Sequence, residues 1–168
     1  VANKDISDPD IRPVPVEELT IPVTQAGLAF WRDACDGGVM PPVSAISPAA
    51  LKELLPSVVI FEPVRTAAAD SDAEPEDFRY RLLGECVNEV FDVSLAGRCV
   101  SELTEYGDSY IRRNLSFYRL ICARKEPLAL TGRMEMIDKD YVKFEAVYLP
   151  FSESGSRVDR ILAVVGRY

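Results

Sequence analysis

The last third of the chain changes its hydrophobic period. Leu128, Leu130, Met134 and Met136 alternate with other residues through one segment, and Val142, Phe144, Ala146 and Tyr148 do so through the next. Successive side chains of a strand point to opposite faces, so a period of two predicts half-buried strands where a period of 3.6 predicts a helix. The two segments read as a hairpin closed at Asp138-Lys139-Asp140, and RVDRILAVVGRY, after the turn-rich SESGS, reads as one more strand. A chain that ends in three meandering strands needs something to cover their apolar face, and the preceding residues supply it. A helix is predicted from about Gly107 to Lys125, with Tyr110, Ile111, Leu115, Phe117, Tyr118, Ile121 and Cys122 on its apolar face.

The earlier part of the chain adds two strands and several short helices. Residues 1–23 are rich in proline and poor in periodicity, and are expected to form an extended arm outside the core, with the domain proper over 24–168. Thr24 reads as the cap of a helix carrying Leu28, Phe30, Trp31 and Cys35, stopped by Gly37-Gly38. Ser47-Pro48 opens another helix that runs to Pro56. A strand follows at SVVIFEPV, then a connector over 66–77 with five acids, then a strand at DFRYRLLG, where Phe78, Tyr80 and Leu82 alternate with Arg79, Arg81 and Leu83. ECVNEVFDVSLAGR is expected to make short helical turns. The predicted class is α+β: a mainly antiparallel sheet with helices on one side.

Composition removes many functions. There is no histidine among the 168 residues, which takes away the commonest general base and metal ligand. Cys35, Cys86, Cys99 and Cys122 are too widely spaced for a zinc site and read as packed thiols in a reducing cytosol. A net charge of -8 argues against a nucleic-acid partner. No apolar run approaches the roughly 20 residues that span a bilayer, and no signal-peptide pattern opens the chain, so the expected setting is cytoplasmic, away from the membrane. The acidic connector lacks the glycine and flanking helices of a calcium loop. GxSxG, Walker and Rossmann fingerprints are missing as well.

The order of elements, with FWRDACDGGVMPPVSAISPAALKELLPSVVIFEPV, FRYRLLGECVNEVFDVSLAGRCVSEL and VYLPFSESGSRVDRILAVV, resembles the alphaproteobacterial PAS-like sensory family over about residues 24–167. The resemblance implies a five-stranded antiparallel sheet around an internal cavity, used to sense small molecules or to bind other proteins. On that picture the cavity wall is Phe61, Tyr80, Leu82, Val87, Phe91, Tyr110, Phe117, Phe144 and Tyr148. The same residues would also make a filled core. Arg81 either lies solvated on the sheet or holds a carboxylate or phosphate through its planar fork. Leu28 and Trp31 either cover the sheet or form the interface of a homodimer. Among the cofactors such domains carry, haem is disfavoured without a histidine and flavin without the Asn-Cys-Arg-Phe context, since Cys86 here precedes Asn88. Gly84 and Gly97 are expected to serve backbone geometry.

Three functions follow from this reading. The first is a non-catalytic sensory or regulatory module that binds a small molecule or a signalling protein. No output domain is expected beside it, so its signal is expected to leave through protein contacts. The second is an interaction adaptor with a filled core. The third is a small isomerase-like enzyme, for which Glu135 and Glu145 are the available carboxylates; both are expected to face solvent beside Arg133 and Lys143.

Overall fold

A computed structural model describes residues 10–66, 72–90, 94–133 and 143–168. Its elements in chain order are β1 (Arg12–Val14), α1 (Pro22–Cys35), α2 (Pro48–Leu51), β2 (Val58–Val64), β3 (Asp77–Leu83), α3 (Glu85–Asn88), α4 (Asp108–Arg124), β4 (Leu128–Arg133), β5 (Lys143–Phe151) and β6 (Arg160–Arg167), with short 3-10 turns between. One antiparallel sheet holds all six strands in the order β1-β4-β5-β6-β2-β3. The expected Asp138-Lys139-Asp140 turn, with Met134, Glu135, Met136 and Val142, lies outside the described residues.

The sheet has six strands, not the five expected, because part of the supposed arm joins it. Arg12–Val14 pairs antiparallel with Ala129–Thr131. Pro13 fits there because β1 is an edge strand, where a residue without an N–H interrupts no ladder. Further along, Leu19 and Ile21 are buried.

Helices cover both faces, where one-sided cover was expected. α1 lies on the face that carries Leu162, Val164 and Gly166 of β6. A Cβ on its Gly27 would stand 2.7 Å from Val164 Cγ2, and one on Gly166 would meet Ile21. α3 and α4 lie over the opposite face. With both faces covered, β5 and β6 are buried along nearly their whole length. This explains why ILAVV is an uninterrupted apolar run: a strand sandwiched between two layers need not alternate.

Two local features depart from the expected pattern. In α1 the helix begins at Pro22, so Thr24 sits inside the first turn and Ile21 is the N-cap without a side-chain cap of its own. Between β2 and β3 the register shifts: Ile60 pairs with Leu82, but Phe61 pairs with Tyr80, leaving Arg81 as an extra residue. One residue of slip reverses the facing of everything beyond it. Leu83 therefore turns inward and Leu82 outward.

Gly84 ends β3 against the backbone of Leu55 and Pro56, so close that no Cβ could be placed there. Gly97 has a φ of +85°, open to glycine at little cost. The helix predicted from Ser47 does start there, with the Ser47 hydroxyl accepting from Ala50 N at 3.1 Å, but it tightens to 3-10 geometry after Leu51. The acidic connector is strapped to α4: Asp72 pairs with Lys125 at 3.0 Å, Glu74 with Arg119 at 3.4 Å, and Arg119 donates to the carbonyls of Pro75 and Glu76.

Candidate ligand cavity

Between the sheet and the α3–α4 layer lies a cavity of about 110 Å³. Its floor is the face of the sheet that carries Val59 and Phe61 of β2, Tyr80 of β3, Phe144, Ala146 and Tyr148 of β5, and Ala163 and Val165 of β6. Cys86, Val87 and Val90 close one side. Tyr106 and the Tyr110, Asn114 and Tyr118 stripe of α4 form the roof. Positions 110, 114 and 118 recur every four residues and so share a helix face.

The wall is apolar with phenols set into it. Phe61 packs on Tyr80 at 4.8 Å and on Tyr118 at 4.6 Å between ring centres, and Tyr148 stands 5.9 Å from Tyr118. Hydroxyls of Tyr110 and Tyr118 both lie close to that of Tyr80. Tyr118 also donates to Asn114 Oδ1 at 3.2 Å, and Asn114 Nδ2 donates to the carbonyl of Tyr110 at 2.8 Å. Burial is the main cause that raises the ionisation of all four phenols: Tyr110 reaches about 12, and Tyr80, Tyr118 and Tyr148 are pushed up as well. These four phenols accordingly keep their protons at ordinary pH.

At the mouth stands the exposed side chain of Arg167. Its guanidinium donates to the carbonyl of Cys86 and lies 3.8 Å from Glu89 Oε2. Strand β6 is thus tied to the short helix that closes the cavity.

Of the residues expected to line this space, Phe61, Tyr80, Val87, Tyr110, Phe144 and Tyr148 come together in it. Phe91 lies outside the described residues. Leu82 does not belong to the wall: the bulge at Arg81 turns it outward, and it is 36% exposed. Phe117 packs edge-on to Tyr148 at 4.8 Å, but lines a groove at the sheet edge instead. Arg81 is half exposed and pairs with Glu62 at 3.3 Å. Tyr118, Asn114 and Arg167 were not singled out as cavity residues, although the four-residue stripe along α4 carried the signal for the first two.

Leu28 and Trp31, expected either to cover the sheet or to form a dimer interface, are buried within the chain itself. Trp31 Nε1 donates to the carbonyl of Pro150 at 2.7 Å, which holds α1 on β5. Glu145, expected in solvent, is only 2% exposed and faces α1. Its carboxylate accepts from Thr20 N, Ile21 N at 3.0 Å and the hydroxyls of Thr20 and Thr24. Neither oxygen is left to act as a base. No three His, Cys, Asp or Glu side chains cluster as a metal site among the described residues, and no helix there is long and apolar enough to cross a membrane.

A family model described as a PAS domain matches residues 19–165. The chain belongs to the PAS domain family. No curated protein and no solved structure matches it. The match begins five residues before Thr24 and takes in buried Leu19 and Ile21, the segment that Glu145 anchors. The cavity sits between the PAS sheet and its helical layer. Among the described residues the cavity has a volume of about 110 Å³, under the roughly 300–1,000 Å³ of drug- and cofactor-sized sites.

Proposed function

We propose that this PAS domain is a non-catalytic sensory or regulatory module that takes up a small molecule in the cavity and passes its occupancy on through contacts with a signalling protein in the cytoplasm. The observation that carries this is the cavity itself: an apolar, phenol-lined space beside the Arg167–Cys86 link between β6 and α3. A ligand that prefers one arrangement of that link over another would shift its population by the difference in affinity. Thermal melting of the purified protein against a panel of small metabolites tests the reading. A ligand at about 100 times its dissociation constant adds roughly 2.7 kcal/mol of stability. Flat melts together with native mass spectra free of retained small molecules would remove it.

An interaction adaptor is the second reading, supported by an open groove of about 900 Å³ at the sheet edge, where Phe117, Trp31, Val14 and the exposed Leu120 line one apolar surface. Capture of the same partner by the intact chain and by a Leu120→Asp variant separates the two, since only the adaptor loses its partner on that change.

A further inference from the structure

The inference below rests on the sensory reading and narrows it to a ligand class. We infer that the cavity selects a small neutral molecule with an apolar body and one hydrogen-bond acceptor, and that the hydroxyl of Tyr148 holds that acceptor.

Size sets the first limit. A cavity of about 110 Å³ is somewhat smaller than an engineered one of about 150 Å³ that accepts benzene, so the occupant has about five to seven non-hydrogen atoms.

Polarity sets the second. Of the five tyrosines on the wall, Tyr118 donates to Asn114, and the hydroxyls of Tyr110 and Tyr118 lie close to that of Tyr80. Tyr148 shares the cavity, and its hydroxyl has no hydrogen-bond partner among the described residues. Tyr148 is partly buried, and a hydroxyl lining an apolar cavity without a protein partner is costly; a phenol is a better donor than acceptor, so an acceptor on the ligand meets the unfilled need.

Charge sets the third. Among the described residues no carboxylate or ammonium lines the cavity, and the guanidinium at its mouth is taken by the Cys86 carbonyl and by Glu89. A charged molecule would lose its hydration inside with nothing to replace it.

Three probes of equal heavy-atom count test the proposal on the full chain by two-dimensional NMR titration: cyclohexanone, which has an acceptor; toluene, which has none; and cyclobutanecarboxylate, which is charged. Cyclohexanone is expected to bind the native protein several-fold more tightly than toluene, with the carboxylate leaving the cavity resonances unmoved. Tyr148→Phe keeps the ring and should weaken cyclohexanone by about five- to tenfold while leaving toluene unchanged. The ranking of probes on the native protein tests the idea even if the variant folds poorly. Equal affinity for toluene and cyclohexanone would overturn the proposal while leaving the cavity a ligand site. Preference for the carboxylate, lost on Arg167→Ala, would overturn it by moving recognition to the mouth. Failure of all three to shift any cavity resonance would overturn both the proposal and the sensory reading.

Discussion

Glu145 works as a cap supplied from a distant strand. Pro22 starts α1 without a side-chain cap from Ile21, and the N–H groups of Thr20 and Ile21 find their acceptor 124–125 residues away in the carboxylate of Glu145. A carboxylate at a helix N-terminus also complements the helix dipole. Burial pushes the Glu145 carboxyl up, but the hydrogen bonds from Thr24, Ile21 and Thr20 outweigh it, and the net position is below the ordinary value. With the folded value depressed, the stabilisation is complete above the unfolded carboxyl range near pH ~4.3 and is lost as pH falls through the folded value. Glu145→Gln should therefore cost about 1–3 kcal/mol at pH 7, or about 2–4 °C in Tm per kcal/mol for a chain of this length. Urea titrations at pH 7 and pH 3 check it: the gap between native and variant protein should shrink in acid, and an unchanged gap at pH 3 would sink the cap account.

At the scale of elements, α1 is the piece that the arm, β5 and β6 hold in common. Gly27 lets it approach Val164, Glu145 caps its start, and Trp31 ties its middle to Pro150. Trp31→Phe keeps an aromatic ring but leaves the Pro150 carbonyl unpaired in a buried place, and should cost about 1–3 kcal/mol. Hydrogen exchange locates the effect: α1 amides should lose protection while those of β2 and β3 keep theirs. Uniform loss across the sheet would show that α1 is not a separable layer. Because Trp31 is the sole tryptophan, its emission reports the docking of α1 directly.

For the whole molecule, the phenol cluster links the sheet to the α4 layer. Four of the seven tyrosines sit in it, all with ionisation raised chiefly by burial. A raised folded value means that the neutral form belongs to the folded state. The stabilisation is full below the unfolded phenol range near pH ~10 and is lost as pH climbs beyond it. Alkaline titration followed at 295 nm should show the cluster ionising only together with loss of the far-ultraviolet circular dichroism signal. Smooth ionisation of every tyrosine with the fold intact would contradict a closed, protonated cluster.

The strands, the long α4 and the two-period pattern were legible in the sequence because each depends on neighbours within a few residues. Phe144, Ala146 and Tyr148 alternate, and Tyr110, Asn114 and Tyr118 repeat every four, so their shared faces follow from local geometry. The PAS resemblance was legible for the same reason: it lies in the order of such elements. Three things depended on residues far apart. Leu82 left the cavity because β2 and β3 pair with one residue of slip, which alternation within one strand cannot reveal. Glu145 was expected in solvent because its flanking apolar residues took one face of β5; only α1, packed on the other face, made that side interior as well. The arm became a strand because β4 left an edge to pair with. Local periodicity fixes which residues share a face, but whether that face is wet or dry depends on what the rest of the chain lays over it.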